Sequence, residues 1–224
     1  MPSVAHILER LESFYGRQEA HWPTEPYEFV VWWHCGYPQS DAACAKGWAA
    51  LTESVGIQPE EMLRAGAGKL ARALKAGGMA PELRAERLLE TAARVEREFG
   101  GDLRSGLAGP LAKVRKALQT FPGIAGPGAD RILLFGGIAP VAAIPSNCPH
   151  VLVRIRHGKE RENYGATYRE AQEAVAAETP ASFDARTRAY LLLKHHGQER
   201  CKRTNPKCEG CPVRTECAFA GSHK

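Results

Sequence analysis

Four of the seven cysteines crowd into the last 24 residues, as Cys201, Cys208, Cys211 and Cys217, with the spacing Cys-x6-Cys-x2-Cys-x5-Cys. The surrounding tail has no apolar periodicity, so a shared ligand has to organise it. Clustered cysteines in a reducing compartment point to metal before disulfides. Zinc ribbons generally use two short Cys-x2-Cys knuckles, whereas only one such pair is present here and the outer gaps are longer and unequal. Cys211 is followed by Pro212, a pairing also found in iron–sulfur runs. On spacing alone both zinc and an iron–sulfur cluster stay open, with the unequal gaps favouring the cluster.

The other 200 residues read as helices joined by short loops. Val4, Ile7, Leu8, Leu11, Phe14 and Tyr15 recur at helical spacing behind Ser3, a capping residue. Pro26 opens a second helix that stops near Gly36 and Pro38, and Ser40 caps a third that ends near Gly56. A short fourth covers residues 59–65, and glycines 66, 68, 77 and 78 bracket a looped or weakly helical stretch. A long amphipathic helix spans Pro81 to Phe99, and further helices are expected over 149–157, 165–178 and 183–196. With no strand pattern, repeat or low-complexity segment, the fold class is all-α. The Gly/Pro-rich connector GGIAPVAAIPSNCP marks a boundary between two lobes, 27–140 and 1–26 with 141–224.

Hydrophobic residues make up 44% and charged residues 25% of the chain, as in ordinary globular proteins. No apolar run reaches membrane length, and the N-terminus is amphipathic rather than basic-then-apolar, so a cytoplasmic protein is the expectation. A net charge of +5 permits an anionic partner without requiring one. Two basic stretches stand out: Arg154, Arg156, Lys159 and Arg161, and the acid-free Lys202, Arg203 and Lys207 between the first two tail cysteines. Each reads as a solvated face or as a phosphate contact.

Ahead of both lies LAKVRKALQTFPGIAGPGADRILLF, residues 111–135. Leu111, Val114 and Leu118 line one face of a helix, Phe121-Pro122-Gly123-Ile124 makes a tight turn, and Ala129, Ile132 and Leu133 face back from a second helix. Such a turn exposes backbone N–H groups and aims a helix N-terminus at an anion. An unliganded helical hairpin fits the pattern as well.

HGQERCKRTNPKCEGCPVRTEC and the 111–135 segment together resemble the helix–hairpin–helix DNA glycosylases of the endonuclease III and MutY type, and the likeness extends from about Pro26 to Cys217. The resemblance implies a two-lobed helical fold, a [4Fe–4S] cluster on Cys201, Cys208, Cys211 and Cys217, and base-excision repair on double-stranded DNA. It also implies a monomer near the nucleoid with no obligate protein partner. Gly123, Ile124, Ala125, Gly126 and Gly128 would grip phosphates in the hairpin, and Lys202, Arg203 and Lys207 in the cluster loop. The family's second hairpin glycine falls on Ala125, where a left-handed backbone costs about 1 kcal/mol.

The family's chemical groups fall on other residue types here. Its lyase lysine aligns with Pro127, and no lysine lies between Lys116 and Lys159. Its aspartate aligns with Pro145, or with Asn147 or Pro149 in a shifted register, and the MutY-type glutamate aligns with Trp33. Asp130, expected in the first turn of the second hairpin helix, is either a dipole-stabilising residue or a relocated catalytic group. His34 is a second catalytic candidate, as a proton carrier. Trp33 could stack on a flipped base, Ser146 and Asn147 could bond a base or sugar, and Tyr37, Gln39 and Met79 could wedge into the duplex. A monofunctional glycosylase is expected; the alternatives are a non-catalytic DNA- or damage-binding protein and an electron-transfer protein.

Overall fold

The computed structural model describes residues 1–222. Among them are eleven α-helices, three short 3-10 turns and no strand: α1 (Val4–Tyr15), α2 (Pro26–Gly36), α3 (Asp41–Ser54), α4 (Pro59–Leu74), α5 (Pro81–Phe99), α6 (Leu111–Leu118), α7 (Gly126–Phe135), α8 (His150–His157), α9 (Tyr164–Glu178), α10 (Phe183–Glu199) and α11 (Ala218–Ser222). No helix among the described residues is long and apolar enough to cross a membrane. The chain divides into two compact units, His21–Ile132 and Met1–Ala20 with the chain from Leu133 onward. The second division falls inside α7 rather than in the connector after it.

In the His21–Ile132 unit, α2 is the central element. The Glu25 side chain caps it by accepting from the Glu28 amide at 3.0 Å, and Pro26 sets the first helical φ. Nearly every residue from Pro26 to Gly36 is buried, which suits a helix that is apolar on all sides. α4 packs along α5 and extends beyond the short helix expected at 59–65, to Leu74. Gly66 breaks it into two segments, and Leu70, Ala73 and Leu74 are buried at helical spacing beyond the break. The glycines there mark a kink in a helix rather than a loop.

Arg84 ties this unit together, although it is a cation only 3% exposed. Its guanidinium donates to the carbonyls of Cys35 (2.5 Å), Gly78 (2.7 Å), Leu74 (2.9 Å), Met79 (2.9 Å) and His34 (3.3 Å). A buried charge is tolerable only when its donors are used, and here they staple the end of α2 to the turn before α5.

The other unit is built on α1, α8, α9 and α10. Val4, Ile7, Leu8 and Leu11 supply the expected buried stripe of α1, together with Val151, Leu152, Tyr168, Leu192 and Leu193. Gly197 of α10 sits where a Cβ would come within 2.5 Å of Cys148 Sγ, so only glycine permits this approach. Three arginines of the basic stretch after Pro149 hold ion pairs: Arg156 with Glu178 at 2.7 Å, Arg154 with Glu160 at 2.7 Å, and Arg161 with Glu170. Arg154 is buried, whereas Lys159 and Arg161 lie at the surface.

Candidate nucleic-acid interface and cysteine pocket

The hairpin forms as α6, a turn over residues 119–125, and α7. Ile124 donates to the Phe121 carbonyl at 3.1 Å and is itself buried, so it anchors the turn from below. Gly123 is exposed at φ +70°, a conformation that an L-residue adopts only with strain. Ala125 is exposed but has no positive φ, so the expected penalty at that position is absent. Its carbonyl accepts from Ala129 at 2.9 Å and so caps α7. The N–H groups of Gly126 and Gly128 lie in the first turn of α7, where helix geometry leaves amides without an intrahelical partner.

Asp130 is the fifth residue of α7, beyond the first turn in which it was expected. It is 1% exposed, and Arg115 Nη2 of α6 lies 2.8 Å from its carboxylate. The pair links the two hairpin helices across their base, which makes Asp130 a strut and not an exposed carboxylate facing a sugar.

His34 supports the turn from beneath. It is 2% exposed, its Nε2 is buried without a hydrogen-bond partner, and a Cβ at Gly123 would stand 3.2 Å from its Cε1. Burial first, then the Arg87 charge, lowers its pKa to about 4, partly opposed by a hydrogen bond with the Pro122 backbone. It is therefore a neutral packing ring at neutral pH.

Trp33 is buried, and its ring stacks on Tyr37 with centroids 3.7 Å apart. Gln39 lies over Gly78, where a Cβ would come 3.2 Å from its Cγ, and Met79 beside it is 70% exposed. Met79, forty residues on in sequence from Gln39, thus belongs with Tyr37 and Gln39 to one loop cluster tied down by Arg84. Ser146 is half-buried and Asn147 exposed in the turn before α8, in the other unit.

The four tail cysteines line one pocket, shared with Ile155, His196 and Val213. Burial pushes the Cys201 thiol up to about 12, against the pull of Arg154, and raises Cys211 and Cys217 as well. Among the described residues no three His, Cys, Asp or Glu side chains converge tightly enough to hold one metal ion. In the loop above the cavity, Lys202 and Lys207 are exposed. Arg203 instead pairs with Glu160 at 3.1 Å, and its carbonyl and that of Lys202 accept from Arg154.

No family model and no curated protein sequence matches the chain. Solved structures do. Endonuclease III trapped as a covalent intermediate with DNA matches at a TM-score of 0.78 and 15% identity, covering 99% of both chains. A thermostable thymine-DNA glycosylase matches at 0.77 and 20% identity, covering 98% of this chain and 97% of its own. The H. pylori 3-methyladenine DNA glycosylase MagIII, bound to 1,N6-ethenoadenine, matches at 0.61 and 19% identity, covering 88% and 95%.

The fold is that of the helix–hairpin–helix DNA glycosylases. The residues that the sequence did not reveal are internal ones. Arg84, Arg115 and the buried Arg131, whose guanidinium lies 3.9 Å from the Trp22 ring centroid, look like surface charges in the sequence. No local pattern gives their partners, although Arg84 and Arg131 stand at buried helical positions, a signal that they are used inside.

Proposed function

We propose that this protein is a monofunctional DNA glycosylase of base-excision repair, releasing a damaged or mismatched base without cutting the strand. The observation that carries this is the hairpin: an exposed turn on Gly123 leading into the N-terminus of α7; the family resemblance aligns its lyase lysine with Pro127, which has no amine to offer. Backbone N–H groups and the helix dipole suit a phosphate without reading sequence. Lys202 and Lys207 add charge from the tail, Arg203 less because it is paired with Glu160. Gln39 and Met79 are the wedge residues, and Tyr37 with Trp33 forms the aromatic wall beside them. Ser146 and Asn147 remain candidates for polar contacts to a base or sugar.

The cysteine cavity suits a [4Fe–4S] cluster held by Cys201, Cys208, Cys211 and Cys217. One zinc ion needs four donors about 2.3 Å from a single centre. Four thiols lining one pocket supply one thiolate for each corner of such a cluster. When bound, such a cluster supplies a cross-link for the tail and a one-electron redox centre.

Base release must stabilise a cationic sugar. Asp130 and His34 were the candidates, and both are buried, Asp130 in a strut to Arg115. That burial favours a second reading, a non-catalytic damage-binding protein. Duplexes bearing uracil, hypoxanthine, alkylated or oxidised bases separate the two. A monofunctional glycosylase yields strand breaks only after alkali, a lyase yields them without it, and a binding protein yields none.

A further inference from the structure

His196, near the end of α10, is 1% exposed and bridges two groups. Its Nδ1 lies 2.9 Å from the Tyr15 hydroxyl of α1, and its Nε2 lies 3.8 Å from Cys211 Sγ. The ring of Tyr15 is itself fixed, edge-on to His195 with centroids 4.6 Å apart and edge-on to Phe14 at 4.9 Å. With Cys211 bound to iron, these contacts select one tautomer of the ring. A cysteine sulfur bound to iron has lost its proton and can only accept. Nε2 must then carry the ring proton to bond it, which leaves Nδ1 as a lone pair. That lone pair accepts from the Tyr15 O–H. The opposite tautomer would set a bare nitrogen against a charged sulfur and leave the phenol as acceptor.

We propose that Tyr15 and His196 form a relay that donates a hydrogen bond to the Cys211 sulfur and raises the reduction potential of the cluster. The inference rests on the cluster assignment made above. One electron taken up from an electrode adds negative charge to the cluster and its sulfurs. A fixed N–H dipole aimed at one of those sulfurs stabilises the reduced state more than the oxidised one. His196 is thus a positioning and tuning residue, with Tyr15 holding its tautomer.

The test is voltammetry of the purified holoprotein with iron content measured for each variant. His196→Leu, which removes the donor, should move the potential negative by about 59 mV, a tenfold change in a one-electron reduction equilibrium. Tyr15→Phe keeps the ring and loses only the hydroxyl, and should move it in the same direction by less. His196→Gln restores an N–H donor and should return the potential toward wild type. If His196→Leu fails to retain iron, the Tyr15→Phe and Gln variants decide. Unchanged potentials in iron-loaded variants overturn the relay alone. Wild-type protein without iron overturns the cluster assignment and the relay with it.

Discussion

His34 makes the folded state of the hairpin unit sensitive to acid. Its pKa is lowered from 6.5 to about 4, first by burial, then by the Arg87 charge, with a smaller contribution from Arg84 and the Pro122 backbone pulling the other way. A group whose folded pKa lies below its unfolded one binds more protons when unfolded. Stability is therefore complete above about pH 6.5 and is lost as the pH falls toward 4. The full shift corresponds to roughly 3 kcal/mol, of which roughly 2 kcal/mol is lost by pH 5. All four tryptophans, Trp22, Trp32, Trp33 and Trp48, lie in the His21–Ile132 unit, so tryptophan fluorescence reports on that unit. Urea titrations at pH 7, 6 and 5 on wild type and His34→Phe should give curves that diverge in acid, the variant keeping roughly 2 kcal/mol that wild type loses at pH 5. Parallel loss in the two proteins would refute the assignment of the acid sensitivity to His34.

Arg84→Met should lower unfolding free energy by about 3 kcal/mol or more, because five carbonyls lose a buried donor, as read from the urea midpoint of the same fluorescence signal. Lys202→Ala with Lys207→Ala should weaken duplex binding equally on unrelated sequences and flatten the log–log salt dependence by about 0.9 per lost contact, while Arg203→Ala should do less because Glu160 already holds that guanidinium. Purified protein should be yellow-brown with about four irons per chain; Cys208→Ser or Cys211→Ser should lose the colour, and a colourless wild type holding one zinc would reverse the metal assignment.

The helices that bury one apolar stripe were legible, because periodicity alone defines them: α1 from Val4 to Tyr15 and α5 from Pro81 to Phe99 form where the pattern places them. The hairpin was legible for the same reason, with the Pro122-Gly123 turn between two short stripes. What was not legible is long-range pairing. Asp130 looks like a free carboxylate until Arg115, fifteen positions earlier, is found beside it. Arg84 looks like one of many arginines on an amphipathic helix until its acceptors, up to fifty residues away, are located. The glycines at 66 and 68 left a looped or weakly helical stretch open because local propensity penalises them; the buried Leu70, Ala73 and Leu74 outweigh that cost and the helix resumes. The acidic partners of Arg156 and Arg161, Glu178 and Glu170, lie on α9 and could not be read from the basic run itself.

Base release itself tests the central claim most directly. Free base liberated from each lesion-bearing duplex under single-turnover conditions would be measured chromatographically, alongside duplex affinity and borohydride trapping on the same samples. The account predicts release of at least one base, an intact abasic strand, and no trapped covalent complex, because Pro127 offers no amine. Tight duplex binding with no base released from any lesion would contradict it and leave a binding protein, and a borohydride-trapped complex would reveal a lyase acting through an amine outside the hairpin.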